Sequence, residues 1–310
     1  MIEAENLSRR YGGMLAVDAL NLCVRAGEVV GLLGPNGAGK TTSLRMLAGF
    51  LAPSGGRARI GGHDVERQPH AARCALGYLP EGAPSYGEMS VLGFLLFVAR
   101  VRRLSGERRR SRLDAVIQQL ELDDVLALPI ETLSKGYRRR VGLAQAILHD
   151  PPALILDEPT DGLDPNQKRA ARALIRGLAR DRAILISTHL LEEVPTVCSR
   201  VAVIARGRLL ADATPAELEQ RSRYHGAVSF SARGAGPARA AISLLPGVDT
   251  VEADPLNGRV TVFPKPGRPI LAEVQGILAA QRVEASEFAL ERGRLDDVFR
   301  SLTADPAETA

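Results

Sequence analysis

Cysteine is scarce in this chain. Its three residues, Cys23, Cys74 and Cys198, are widely separated and form no metal-ligand pattern. An odd, scattered set argues against a disulfide framework and for reduced thiols in a cytosolic compartment, with each cysteine expected as a small core residue. Long apolar runs are also missing. The most apolar, VLGFLLFVARVRRL, is broken by Arg100, too early to span a bilayer. The opening MIEAENLSRRYGG carries charge from Glu3 onward and has no apolar core, so no signal peptide is expected. Charge of one sign is limited too: the net charge of +4 does not by itself announce a nucleic-acid binder. Lysine is nearly absent (Lys40, Lys135, Lys168 and Lys265), so arginine carries the positive charge.

What remains is ordinary for a globular protein: 45% apolar and 25% charged residues in 310, enough for one large domain or two. Up to about residue 220, short apolar runs alternate with helical stretches. EVVGLLG, ALILD, AILIS and VAVIA have almost no polar alternation and read as strands of a largely parallel sheet covered on both faces. Strands give way to helices over about 85–150, a helical insertion into an α/β core. From residue 221 the texture changes, and RYHGAVSFSARGAGPARA contains a boundary. The tail over 221–310 reads strand (227–231), helix (238–245), a strand pair around ADPLNGRVTVF, helix (270–281) and strand (283–290). That order is the split, ferredoxin-like pattern of a small accessory α+β domain. RLDDVFRSLT adds a last short helix, and the end from Ala304 is expected to fray.

The segment EVVGLLGPNGAGKTT carries the first chemistry. It sets G-x-x-x-x-G-K-T at Gly34, Gly39, Lys40 and Thr41, after a strand and opening a helix. Glycines let the loop turn its N–H groups inward onto phosphate oxygens, Lys40 supplies a point charge for the β- and γ-phosphates, and the Thr41 hydroxyl suits Mg²⁺. ALILDEP delivers Asp157 at the end of a buried strand, able to hold Mg²⁺ through water. Glu158 follows, placed to polarise an attacking water. A third segment, LSKGYRRRVGLAQAI, looks like an anion site at a helix start. Ser134 is its N-cap, and Gly136 permits close backbone approach. Nucleic acid phosphate or nucleotide phosphate would fit it equally. Tyr137, Val141, Ala144 and Leu148 share one helical face and should pack, whereas Arg138 to Arg140 read as a solvated basic edge or as a face toward a membrane or partner.

Taken together, these motifs resemble the ATP-binding subunits of ABC transporters over roughly residues 1–220. GPNGAGKTT resembles Walker A, which brings Asn36, Gly37 and Thr42 into the ATP site with Gly34, Gly39, Lys40 and Thr41. ALILDEP resembles Walker B, DGLDP the D-loop centred on Asp164, and STH the switch-histidine loop ending at His189. Tyr11 stands where the family has its adenine-stacking aromatic. The resemblance implies a P-loop fold, hydrolysis of ATP with Mg²⁺, and Glu158 and His189 as catalytic residues. LSKGY would be the signature, with Ser134 and Gly136 meeting the γ-phosphate of ATP bound to a second nucleotide-binding subunit of a dimer, formed either with itself, as a homodimer, or with a relative.

Two departures stand out. The signature carries Lys135 and Tyr137 where Gly and Gln are commoner. In GYLPEGAPSY, which looks like the Q-loop, Glu81 replaces the glutamine, a carboxylate still able to coordinate Mg²⁺. This variant, with the RLDDVFRSLT tail, resembles the exporter subset that includes antibiotic, multidrug, sodium-efflux and gliding-motility systems. The implied protein is peripheral on the inner face of the cytoplasmic membrane, works through separate polytopic permease subunits and binds no nucleic acid. A soluble ABC-type ATPase acting on ribosomes or DNA, and a nucleotide-sensing regulatory module, are the alternatives.

Overall fold

The structure is a computed structural model and describes residues 1–83, 85–232, 236–254 and 258–304. The chain divides into two compact units, Met1–Thr214 and Pro215–Ala310. In the first, the elements in chain order are β1 (Ile2–Tyr11), β2 (Met14–Val24), β3 (Val29–Leu33), α1 (Lys40–Leu47), β4 (Gly55–Ile60), β5 (His63–Asp64), α2 (Pro69–Cys74) and β6 (Leu76–Leu79). There follow α3 (Val91–Val101), α4 (Gly106–Gln119), α5 (Lys135–Ile147), β7 (Ala153–Asp157), α6 (Pro165–Leu178), β8 (Ala183–Ser187), α7 (Val194–Val197), β9 (Arg200–Ala205) and β10 (Arg208–Ala213).

Two sheets result. The central one has the order β10-β9-β3-β8-β7-β6. Its β9-β3-β8-β7-β6 portion is parallel, and β10 joins the β9 edge antiparallel. Every residue of β3, β7 and β8 is buried, which is why these stretches are apolar without alternation. Because the strands run parallel, β3, β8 and β7 all deliver their carboxyl ends to the same edge. The second sheet, β2-β1-β4-β5, is antiparallel and is not among the strands expected from apolar runs. Bulges interrupt the β1–β2 register, and they blur the two-residue period that would have announced it. Leu44, Met46 and Leu47 of α1 are fully buried in a core shared with Ile2, Leu7 and Leu20 of this sheet and Leu32 and Leu185 of the central one.

Among the described residues between β6 and β7 the regular elements are helices, with one isolated bridge between Ser90 and Pro129. Ser90 caps α3 by accepting from the Gly93 amide at 3.1 Å. Arg112 of α4 donates to the carbonyls of Ile147 and Leu148 at 2.8 and 3.1 Å, satisfying groups the end of α5 leaves open. Close packing holds α5 on β6: a Cβ on Gly77 would lie 2.1 Å from the Ala146 carbonyl, and one on Gly142 2.8 Å from the Leu79 side chain. Among the described residues, no helix is long and apolar enough to cross a membrane.

Two expectations need correction. Arg138 to Arg140 are not one solvated edge. Arg138 is exposed, Arg140 is half-buried and pairs with Glu121 at 2.8 Å, and Arg139 is buried at 6% exposure. Arg139 shares the inward face of α5 with Gly136, Gly142 and Leu143, three and four residues away, so the helical period overrides its charge. The cysteines are not uniformly core residues either. Cys198 is buried, with its thiol pushed up to about 12 by burial, but Cys23 is half-buried and Cys74 is exposed at the end of the short α2.

The second unit contains α8 (Pro215–Glu219), β11 (Val228–Ser231), α9 (Gly236–Ser243), β12 (Val248–Ala253), β13 (Arg259–Pro264), α10 (Leu271–Ala280), β14 (Ser286–Leu290) and α11 (Leu295–Thr303). Its sheet is antiparallel in the order β12-β13-β11-β14. Val228, Phe230, Val260 and Val262 point from the sheet onto Ile242, Val274 and Leu278 of the helices. Parts of the strand pair expected around ADPLNGRVTVF, of the expected boundary stretch and of the expected fraying end fall on 255–257, 233–235 and 305–310, outside the described residues.

Candidate nucleotide site

The edge formed by the carboxyl ends of β3, β8 and β7 is where an open α/β sheet presents ligand-binding groups. β3 runs into the loop from Gly34 to Gly39. Gly37 (φ +78°) and Gly39 (φ +102°) take left-handed conformations there, and Gly39 is the N-cap of α1. Gly34 is required for space: a Cβ would stand 2.3 Å from the Ile204 carbonyl and 2.9 Å from Ala38. The loop and the start of α1 therefore form a concave rim of backbone N–H groups at the positive end of a helix.

This rim opens onto a cavity of about 490 Å³ lined by Tyr11, Asn36, Gly37, Gly39, Lys40, Thr41, Thr42, Glu81, Asp157 and Glu158. Ten residues singled out from the sequence thus converge on one site. Met14, Leu15, Ala16, Arg206 and Gly207 complete the wall and were not foreseen. The first three open β2 and the last two form the turn between β9 and β10, stretches that no phosphate or metal motif marks. Tyr11 is 44% exposed at the mouth, with the Arg9 guanidinium 4.8 Å from its ring centroid, so a flat aromatic face stands at the entrance.

Lys40 Nζ donates to the carbonyls of Gly34 at 2.5 Å and Pro35 at 3.1 Å. Burial holds its ammonium below the usual lysine range, while Glu158, Asp157 and Glu81 pull the other way. Asp157 is 2% exposed. Its Oδ1 accepts from the Ser187 hydroxyl, and its Oδ2 is buried without a hydrogen-bond partner. A buried carboxylate oxygen without a partner, on a residue that lines the cavity together with Thr41 and Glu81, fits a hydrated divalent cation beside phosphate. Ser187 belonged to the recognised STH triplet without a role. Its hydroxyl fixes Asp157, and its carbonyl and hydroxyl both accept from the Glu158 amide, each at 3.2 Å.

Glu158 follows β7 in the left-handed region at φ +51°. His189 Nδ1 lies 2.9 Å from Glu158 Oε2, within hydrogen-bond reach of the carboxylate that borders the cavity. His189 itself is off the wall. Ser134, Gly136 and Asp164 also lie outside the cavity. Ser134 accepts from the Tyr137 amide at 3.3 Å as N-cap of α5, and Asp164 accepts from the Asn166 and Gln167 amides, each at 2.9 Å, as N-cap of α6. The space beside Gly136 is filled by Gln167, whose Oε1 would lie 2.5 Å from an added Cβ.

With this geometry, the comparisons with known proteins agree. A family model described as ABC transporter matches residues 17–161. Daunorubicin resistance ATP-binding protein DrrA3 of Streptomyces coeruleorubidus is 36% identical over 98% of this chain and 96% of its own length. Nod factor export ATP-binding protein I of Paraburkholderia xenovorans (strain LB400) is 38% identical over 70% of this chain and 72% of its own. Among solved structures, an ATP-binding subunit of an ABC transporter superposes with a TM-score of 0.67 at 29% identity, covering 71% of this chain and 92% of that one. The P-loop core and the ATPase chemistry therefore have their explanation: the chain belongs to the family of ATP-binding, ATP-hydrolysing subunits of ABC transporters.

Proposed function

We propose that the chain powers an exporter: it binds MgATP in the β3–α1 cradle and hydrolyses it to drive separate, polytopic membrane subunits from the inner face of the cytoplasmic membrane. The observation that carries the chemistry is the 2.9 Å contact between His189 and Glu158 at the rim of the phosphate cavity. Glu158 accepts a proton from the attacking water, and His189 holds that carboxylate in place. Lys40 neutralises the β- and γ-phosphates. Thr41, Glu81 and Asp157 would hold Mg²⁺ through oxygen, Asp157 through water, and the ion would offset phosphate charge. The Asn36, Gly37, Gly39 and Thr42 region contacts phosphate through its backbone, Gly34 leaves it room, and Tyr11 stacks on adenine. The names of relatives concerned with daunorubicin resistance and Nod factor export support an outward cargo.

Ser134 and Gly136 lie off this cavity, which supports a composite site: the α5 end of one subunit meets ATP in its partner, with Asp164 at the joint. A homodimer is the simplest such assembly. The unit from Pro215 onward, whose sheet order β12-β13-β11-β14 supports a ferredoxin-like accessory fold, is read as an appendage to the nucleotide-binding domain.

The decisive experiment mixes two damaged subunits. Ser134→Arg should leave ATP binding intact but abolish hydrolysis, because a bulky cation displaces the hydroxyl at the partner's γ-phosphate. Lys40→Ala should lose the cradle. A mixed dimer then has one intact and one doubly damaged site, and activity should return. Full activity of Ser134→Arg as a dilute monomer would show the site to be complete within one chain.

A further inference from the structure

We propose that Arg139 is a positioning residue for hydrolysis: from inside the fold it fixes the backbone that carries Glu158 and joins it to the α5 signature helix and the Glu81 segment. The inference rests on Glu158 being the base. Arg139 Nη2 donates to the carbonyls of Asp157, at 2.8 Å, and Glu158, and Nη1 reaches the Pro80 carbonyl at 3.4 Å. One planar cation therefore gathers three carbonyls from two chain segments that both border the nucleotide cavity.

The contacts answer a specific need of the backbone. Pairing between β6 and β7 ends at Leu79 and Leu156, so the Asp157 carbonyl lies one residue beyond the ladder. Glu158 then turns through φ +51°, a conformation that non-glycine residues hold only when their surroundings impose it. Arg139 supplies the donor that β6 no longer provides. Its planar fork holds both segments at once, Nη2 on the Asp157 and Glu158 carbonyls and Nη1 on that of Pro80, a fixed span that a compact ammonium does not have.

Anchoring α5 does not account for this arginine. The helix is already held on β6 by the close approaches at Gly77 and Gly142, and by Gln145 Nε2 donating to the Tyr78 carbonyl at 3.0 Å. Arg139 is moreover costly where it is. It is 6% exposed, and its Nε is buried with no hydrogen-bond partner. Burial disfavours its charge, and the acidic groups Asp161, Asp157, Glu158 and Glu81 around it oppose that effect. Ser134 stands at the start of the same helix. A change at the partner-facing signature can thereby be transmitted to the backbone under Glu158.

The test uses the full chain with Arg139→Gln, Arg139→Lys, Glu158→Gln and the double variant Arg139→Gln/Glu158→Gln. The readouts are kcat, KM for MgATP, and single-turnover rates. A displaced base predicts a kcat loss of about tenfold or more in Arg139→Gln, with KM changed less than about threefold. Arg139→Lys should fall between that variant and the native chain. On the Glu158→Gln background, Arg139→Gln should cost little more, because there is no base left to position. A purely structural arginine would instead give multiplicative losses, and that result overturns the proposal. So does native kcat in either folded single variant, with Arg139→Lys deciding if Arg139→Gln does not fold. Near-native turnover of Glu158→Gln would remove the base itself, a failure of the underlying reading that is recognisable independently of any Arg139 variant.

Discussion

The Thr160 hydroxyl donates to Glu193 Oε2 at 2.5 Å, joining two buried residues 33 positions apart. Thr160 begins the loop that leads to Asp164, and Glu193 lies just beyond His189. The same carboxylate accepts from Arg172 at 2.8 Å and stands 3.9 Å from Lys168, so the loops behind the site share one buried anion. Glu193→Ala would leave two cations and a hydroxyl without it. We expect a loss of about 2–4 kcal/mol in urea unfolding, with Glu193→Gln costing less because its amide oxygen still accepts from Thr160.

A pH dependence follows from His149, which is 9% exposed between β6 and the end of α5. Its Nε2–H donates to the Leu76 carbonyl at 3.1 Å, and burial, reinforced by Arg102, depresses its pKa from 6.5 to about 4. Between these values the unfolded chain binds a proton that the folded chain does not. The contribution is therefore complete above pH 6.5 and is lost as pH falls toward 4, by roughly 3 kcal/mol. Unfolding free energies across this window should be flatter in His149→Leu than in the native chain; parallel curves would contradict the assignment.

Glu158→Gln should bind MgATP and hydrolyse it very slowly, because an amide cannot take the proton of the attacking water. An ATP-bound dimer should accumulate, visible by size-exclusion chromatography with ATP present. Turnover near the native rate would remove Glu158 from this role.

Lys40→Ala should weaken ATP binding by about 1.5–3 kcal/mol through loss of a charge-assisted contact. Calorimetric titration reads this directly, and unchanged affinity would count against the cradle.

Sequence alone was informative where local chemistry dictates geometry. The phosphate loop is legible because its glycines, lysine and threonine act through adjacent backbone, and β3, β7 and β8 are legible because burial on both faces removes polar alternation. The β1–β2–β4–β5 sheet was hidden by bulges that shift register. Arg139 is not legible from its type, which points a charged side chain to solvent; its spacing from Gly136, Gly142 and Leu143 puts it on the packed face. Ser187 was seen only as part of a motif. Its bond to Asp157 depends on β7 and β8 being neighbours, a pairing between residues 30 positions apart.

The left-handed turn at Glu158 sets activity against durability. An L-residue in that conformation costs on the order of 1 kcal/mol, and the residue bearing the cost is the one read as the base. Selection for heat resistance alone would therefore favour glycine at this position, and would obtain it by discarding the reaction. The resting fold keeps a small part of its stability committed to turnover, and stabilising substitutions intended to preserve activity belong elsewhere in the chain.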